Sequence, residues 1–251
     1  MTTSARTISK SVAAEPNPYE QRVAATDWDA VHEQLNNFGY APTGPLLTPD
    51  EMSELAAIYA EDARFRSTIE MARYRFGDGQ YRYFNRPYPE AVTELQYALY
   101  PRLLPIARDW WTRLRRDPQW PDDFDHWLDM CHRSGQSRTT ALLLRYGADG
   151  WCALHQDLYG ELVFPLQVVI NLTRPDVDYT GGEFLLYEQR PRAQSRGTAL
   201  NIPHGHGLVI TTRERPVPSK RGWAAGAVRH GVSTVRTGSR MTLGLIFHDA
   251  S

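Results

Sequence analysis

At Thr139 the chain changes period, and that change limits what it can fold into more than any other feature. Ahead of it, apolar residues recur at helical spacing. Trp28, Val31, Leu35 and Phe38 form one such face, with Gly39 as a stop; Met52, Leu55, Ile58 and Tyr59 form another. The second follows Thr48-Pro49-Asp50-Glu51, in which Thr48 caps, Pro49 suits the first turn and Glu51 closes a capping box. Further helical patterns cover roughly Glu90 to Arg116, interrupted near Pro101 and Pro105, and Asp123 to about Arg133. Beyond Thr139 the pattern predicts short strands at Thr140–Tyr146, Leu162–Leu172, Glu183–Tyr187, Gly207–Thr212, Ala227–Val235 and Met241–Phe247. Turn signals separate them at Gly147, Asp178 to Gly182, Gly205 and Thr237-Gly238. Closely spaced strands without helices between them specify a sandwich or barrel, not a parallel α/β sheet. The expected architecture is α+β with a mainly β core. Residues 1–25 form a polar, flexible leader; a helical region over 26–138 carries a hairpin or loop near 69–84 and leans on a β core over 139–251.

Bulk properties bound the partners. The 251 residues are enough to bury a sizeable interior, and the formal charge of −1 gives the whole molecule no strong pull on nucleic acid. Lys10 and Lys220 are the only lysines, so nearly all basic charge is arginine, the side chain whose planar fork suits carboxylates and phosphates. With no spanning apolar stretch and no signal peptide, a cytoplasmic protein is expected. Cys131 and Cys152 are too few for a disulfide scaffold and read as small buried hydrophobes. Oligomeric state is not legible.

The residues that carry chemistry lie in the β half. His155-Gln156-Asp157 places an imidazole and a carboxylate two positions apart, on the same side of an extended chain. His230 is a candidate third ligand. Two histidines and one carboxylate occupy one face of an octahedron and leave three positions open, the arrangement that suits non-haem Fe(II). Arg240 follows His230 by ten residues across Thr237-Gly238, so paired strands are expected to hold both inside the sandwich, with Thr242 on the same face. A buried arginine needs an anion, and a guanidinium beside a hydroxyl matches a carboxylate; an ordinary structural ion pair is the other reading.

With these residues in place, the segment from Leu142 to His248 resembles the double-stranded β-helix (jelly roll) core of the prolyl-hydroxylase-like Fe(II)/2-oxoglutarate dioxygenases. The matching stretches are Arg145-Tyr146-Gly147, His155-Gln156-Asp157, Gly181-Gly182-Glu183-Phe184, Gly205 to Ile210, His230-Gly231-Val232 and Gly238-Ser239-Arg240 running to Phe247. The resemblance implies an oxidoreductase using Fe(II), 2-oxoglutarate and O2. By it, His155, Asp157 and His230 are the iron ligands, Arg240 and Thr242 hold the far carboxylate of 2-oxoglutarate, and Tyr146 lines that pocket. The loop after that tyrosine, Gly147-Ala148-Asp149-Gly150, is where the chain departs from the usual pattern. His155-Gln156-Asp157-Leu158-Tyr159-Gly160, Glu188-Gln189-Arg190-Pro191-Arg192 and Phe247-His248-Asp249 also look like a bacterial subgroup labelled as oxygenases acting on alkylation-damaged DNA.

The residues leave the substrate open. Arg73-Tyr74-Arg75-Phe76 and Tyr81-Arg82-Tyr83-Phe84 alternate arginine with aromatics; such runs stack bases and contact phosphates, clamp a small carboxylate, or form a half-buried hairpin. Arg73, Arg75, Tyr83, Arg145 and Gln156 are the candidate substrate contacts, and Glu188 to Arg192 a candidate loop over the opening. The favoured expectation is oxidation of a C–H bond of a small molecule such as an amino acid or a metabolite derived from one, by hydroxylation, desaturation or ring closure. Demethylation of alkylated nucleic acid is the alternative, and a non-catalytic ligand- or metal-binding jelly roll the remote one. His204 and His206 lack a completing ligand; His248 reads as a surface or packing residue; His32, His126 and His132 fall in helical segments; Trp110 and Trp111 read as packing of the helical layer.

Overall fold

A computed structural model describes residues 15–190 and 192–251. Helix α1 (Pro18–Ala24) opens on Asn17, whose side chain accepts from the Glu20 N–H while Glu20 returns the bond, and it buries Tyr19 and Val23. The expected leader is therefore helix from Pro18 onward, tied down by a complete capping box and two anchors; residues 1–14 lie outside the described residues. Helix α2 (Trp28–Phe38) is capped by Asp27 and stops where Gly39 turns left-handed at φ 81°. Helix α3 (Pro49–Ile58) starts on the Thr48/Glu51 box, and α5 (Phe124–Arg133) on Asp123.

Helix α4 (Glu90–Arg113) runs unbroken through Pro101 and Pro105, against the expected interruption. A proline inside a helix costs about 3 kcal/mol. Leu99, Tyr100, Leu103 and Trp110 around these prolines are wholly buried. Their packing, about 1.5–3 kcal/mol for each large side chain, offsets that cost. No helix among the described residues is long and apolar enough to cross a membrane.

The N-terminal half is not helical throughout. It contributes β1 (Tyr40–Pro45), β2 (Phe65–Glu70), β3 (Gly77–Asp78) and β4 (Gln80–Phe84). The β half adds β5 (Leu142–Tyr146), β6 (Trp151–His155), β7 (Leu166–Asn171), β8 (Tyr179–Gly181), β9 (Phe184–Gln189) and β10 (Arg196–Leu200). It continues with β11 (His206–Thr211), β12 (Glu214–Ser219), β13 (Gly222–Val232), β14 (Val235–Gly238) and β15 (Arg240–Ile246). The larger sheet has the order β1-β11-β7-β15-β5-β4-β2, the smaller β10-β9-β13-β6-β3 with β12 on β13, and β14 pairs β8 alone. The segment near 69–84 is thus built into both sheets.

Alternation along the strands divides the larger sheet into two faces. Leu143, Leu166, Val168, Ile170, Leu243 and Leu245 pack against the helices. Leu142, Leu144, Tyr146, Val169, Arg240 and Thr242 face the smaller sheet and line a cavity between the two. One expectation is corrected here. His230 and Arg240 do not lie on paired strands: β13 belongs to the smaller sheet and β15 to the larger, so they face each other across the sandwich. The chain changes sheet at Gly238, where φ is 78° and a Cβ would run into the Asp178 carbonyl, so a residue other than glycine is strained there twice over.

Candidate metal and co-substrate site

His155 is the last residue of β6 and pairs directly with His230 of β13, bringing the two rings to 4.4 Å between centroids. Asp157 lies beyond the end of β6, held by its N–H on the Thr212 carbonyl at 3.3 Å. Its carboxylate reaches back between the imidazoles: Oδ2 is 3.1 Å from His230 Nε2 and Oδ1 3.6 Å from His155 Nε2. One ligand atom from each of the three residues falls within 4.8 Å of the others, a spacing that suits one metal ion. The ring of His155 is oriented from behind. Its Nδ1 is 2.8 Å from the Ala153 carbonyl, which assigns the proton to Nδ1 and leaves Nε2 as the lone-pair nitrogen. Phe184 stacks on His230 at 5.6 Å and 11°. Burial alone would raise the Asp157 carboxyl; the charge and hydrogen bond of His230, with His155 and the Gln167 amide, outweigh it and hold the group well below the usual carboxylate range.

Opposite the cluster stands Arg240, 2 % exposed. Its Nε and the Tyr146 hydroxyl are both buried without a hydrogen-bond partner among the described residues. The two side chains are strand partners, with the guanidinium carbon 5.8 Å from the Tyr146 ring centroid. Two orphaned donors beside Thr242 are costly unless an anion completes them, so the residues fit a carboxylate-bearing co-substrate as well as a metal. His155, Asp157, His230, Arg240, Tyr146 and Thr242 all line one cavity of about 280 Å³. Its remaining wall is mostly apolar, from Met71, Phe76, Leu142, Leu144, Val169 and Ile246 among others.

The candidate substrate contacts divide. Tyr83 and Gln156 line the cavity, although the Gln156 amide donates to the Arg213 and Val228 carbonyls at 2.7 and 2.9 Å. Arg145 is not brought there. Because Leu144 and Tyr146 face inward, Arg145 points to the helical side, 4.5 Å over the Tyr59 ring. Arg73 lies on a single 3-10 turn and Arg75 follows it with φ 59°; both are exposed and neither lines the cavity, though Phe76 does. Glu188 is a buried ion-pair partner of Arg215 rather than part of a loop over the opening, since β9 extends through Gln189 and turns that side chain inward. His206 is spent on the Thr43 carbonyl, and His248 is buried rather than on the surface, its imidazole pushed down to about 4 by burial.

Two residues that the sequence reading did not single out touch the cluster. Tyr159 Oη donates to Asp157 Oδ1 and Gln167 Nε2 to Asp157 Oδ2, each at 2.8 Å. A readable signal existed for the second: Gln167 is the lone amide inside the otherwise apolar Leu166–Ile170, and a buried amide needs a partner. Cys152 also lines the cavity, with Sγ 3.7 Å from His155 Nδ1.

Comparison with known proteins agrees with this geometry. The family Oxygenase-NA, described as "Oxygenase, catalysing oxidative methylation of damaged DNA", matches residues 79–250. Two uncharacterised proteins from Mycobacterium tuberculosis, strains CDC 1551 and H37Rv, are each 64 % identical over 168 residues, covering 67 % of this chain and 72 % of theirs. Among solved structures, a Pseudomonas putida prolyl-4-hydroxylase aligns over 89 % of this chain and 99 % of its own with a TM-score of 0.53 and 16 % identity. A Trichoplax adhaerens prolyl hydroxylase, solved with a hypoxia inducible factor peptide fragment, aligns over 86 % of each chain at 0.55 and 15 %. A Burkholderia pseudomallei oxidoreductase of the 2OG-Fe(II) oxygenase family gives 0.51 at 17 %, over 89 % of this chain and 92 % of its own. At such identities these structures speak to the fold alone, the jelly roll whose two sheets enclose the His155, Asp157 and His230 cluster here. By the extent of the family match and the identity of its relatives, the chain belongs to the Oxygenase-NA family of oxygenases.

Proposed function

We propose that this oxygenase oxidises a C–H bond on an alkyl group of a damaged nucleic-acid base, with His155, Asp157 and His230 holding Fe(II) and Arg240 holding the far carboxylate of 2-oxoglutarate. The observation that carries the site is the pair of orphaned donors, Arg240 Nε and Tyr146 Oη, facing a His/Asp/His cluster across one cavity. When bound, iron with 2-oxoglutarate and O2 supplies the oxidising power and leaves succinate and CO2. The chain's own residues set geometry. Arg240, Thr242 and Tyr146 would fix one end of the co-substrate, His155, Asp157 and His230 would hold the metal, and the apolar wall limits the access of water.

The substrate reading rests on the family match over residues 79–250 and on the rim. Phe76 and Leu158 line the cavity while remaining 46 % and 47 % exposed, so they form its lip. Exposed Tyr74 with Arg73 and Arg75 adjoins Phe76 in sequence. Flat apolar groups receive an unstacked base and arginines meet phosphates, so a flipped or single-stranded base can present its alkyl carbon to the metal. Hydroxylation of an N-methyl carbon gives a hemiaminal that separates into formaldehyde and the repaired N–H.

The deciding experiment measures succinate from Fe(II)-loaded protein with 2-oxoglutarate and O2, comparing methylated single-stranded DNA, the same DNA unmethylated, and a pool of amino-acid-like metabolites. Methylated DNA is expected to stimulate succinate together with formaldehyde. Stimulation by the metabolites alone would overturn the substrate reading in favour of a small molecule, which the largely apolar cavity also suits.

Arg240→Ala is expected to raise the KM for 2-oxoglutarate on the order of a hundredfold, because truncating one partner of a buried charge pair costs about 2–5 kcal/mol. An unchanged KM would remove Arg240 from the co-substrate site.

A further inference from the structure

We propose that Tyr159 and Gln167 are positioning residues that clamp the two oxygens of Asp157 and thereby set how tightly the cluster holds a divalent metal. The inference rests on the reading of His155, Asp157 and His230 as the metal site. It concerns the one ligand of the three that no strand fixes: Asp157 lies in coil beyond β6, with the Thr212 carbonyl as the acceptor for its N–H. The direction of its carboxylate must come from side-chain donors. Two are present, one on each oxygen, both at 2.8 Å.

Both donors are themselves fixed. Gln167 is 3 % exposed in β7, which is hydrogen-bonded to β11 on one side and β15 on the other. Tyr159 accepts from the Ser251 N–H at its carbonyl, 2.9 Å, and its hydroxyl lies 3.2 Å from that of Tyr83, which donates to it. The neighbouring Gly160 packs directly on the Gln136 side chain, where a Cβ would not fit. Gln136, 1 % exposed, in turn donates to the Leu162 and Asp249 carbonyls at 2.9 and 2.8 Å and accepts from the Leu162 N–H at 2.7 Å. The coil that carries Tyr159 is therefore braced from the end of α5 and from the C-terminal residues.

An ionised carboxylate oxygen offers about two acceptor directions. With one on each oxygen occupied by a protein donor, the others remain for the metal, and the carboxylate does not have to be ordered when the ion arrives. The chain Tyr83→Tyr159→Asp157 polarises each hydroxyl in the same sense, which strengthens the bond to the ligand. Partners of this kind typically carry about 10–100-fold in metal affinity.

The test is anaerobic titration of the full chain with Co(II), followed by its visible absorption, for the wild type, Tyr159→Phe, Gln167→Leu and the double variant. Thermal unfolding of each metal-free protein is measured alongside. Either single variant is expected to raise the Co(II) Kd by about tenfold, and the double variant further, with Tyr159→Phe unfolding within a few degrees of the wild type. Removal of a hydroxyl leaves the ring volume in place, so that variant decides the matter even if Gln167→Leu fails to fold. A wild-type Kd in a folded Tyr159→Phe overturns the clamp while leaving the metal site intact. Failure of the wild type itself to bind Co(II) overturns the metal site and the clamp together.

Discussion

Asp157→Asn is expected to abolish succinate formation and to weaken metal binding sharply, in a protein that still folds. The substitution keeps the side chain's shape but removes the single negative charge among the three candidate ligands, leaving two neutral imidazoles to hold a dication. It also breaks the match with the surrounding donors. The carboxylate accepts from Tyr159 on one oxygen and Gln167 on the other, whereas an amide offers one acceptor and one donor, so one of those two partners must turn round to accept instead of donate. Relief of the metal-free protein is not the compensation it would be elsewhere. The carboxylate is held well below its usual range by His230, His155 and Gln167, so its charge is stabilised where it sits. Succinate production with 2-oxoglutarate, and Co(II) affinity in parallel, give the readouts. Wild-type turnover in Asp157→Asn would place the metal elsewhere.

How far this site was legible follows from which signals are local. That His155, Asp157 and His230 come together opposite Arg240 was readable because His155 and Asp157 are two residues apart, His230 falls in a strand-like run, and Arg240 and Thr242 share a strand face. The sheet partners were not. Gly238 marks a turn in any reading, but only the three-dimensional course shows that the chain crosses between sheets there instead of forming a hairpin. Strand β1 was hidden by its own composition: Pro42, Gly44 and Pro45 argue against a strand, and they are tolerated because β1 is the edge of the larger sheet, where not every N–H needs a partner. Arg145 was misassigned although the period of two, applied to Tyr146, already sends it to the other face. Tyr159 acts from coil, where no periodicity announces a side chain's direction. Substrate identity is illegible for a further reason: the iron chemistry is the same whatever C–H bond is presented, and the rim that selects it lies on residues free of the constraints that shape the core.

The largest effect on stability is expected far from the cavity, at Arg215. This guanidinium is 1 % exposed and lies 2.5 Å through Nε from Glu188 Oε2, while Nη1 and Nη2 donate to the Asn36 and Asn37 carbonyls at 2.6 and 3.2 Å. Those carbonyls belong to the last turn of α2, where helix acceptors have no partner within the helix and where a positive charge is favoured. Gly39, which ends the helix, brings the backbone so near that a Cβ would stand 3.0 Å from Arg215 Cδ and Nε. One side chain thus joins β12, β9 and the helical layer. Arg215→Ala strands the Glu188 carboxylate, 6 % exposed, with Arg190 as its remaining ion-pair partner, and leaves the two helix carbonyls unmet. Breaking a buried pair from one side costs about 3–5 kcal/mol. For a chain of this length that lowers Tm by roughly 10 °C. Arg215→Met combined with Glu188→Leu is expected to recover much of the loss, because no buried charge is then left alone, though the α2 carbonyls still go unpaired. Chemical denaturation of the two single variants and the double variant completes the cycle. A cost below about 1 kcal/mol in both singles would mean that the pair contributes no more than a surface ion pair does.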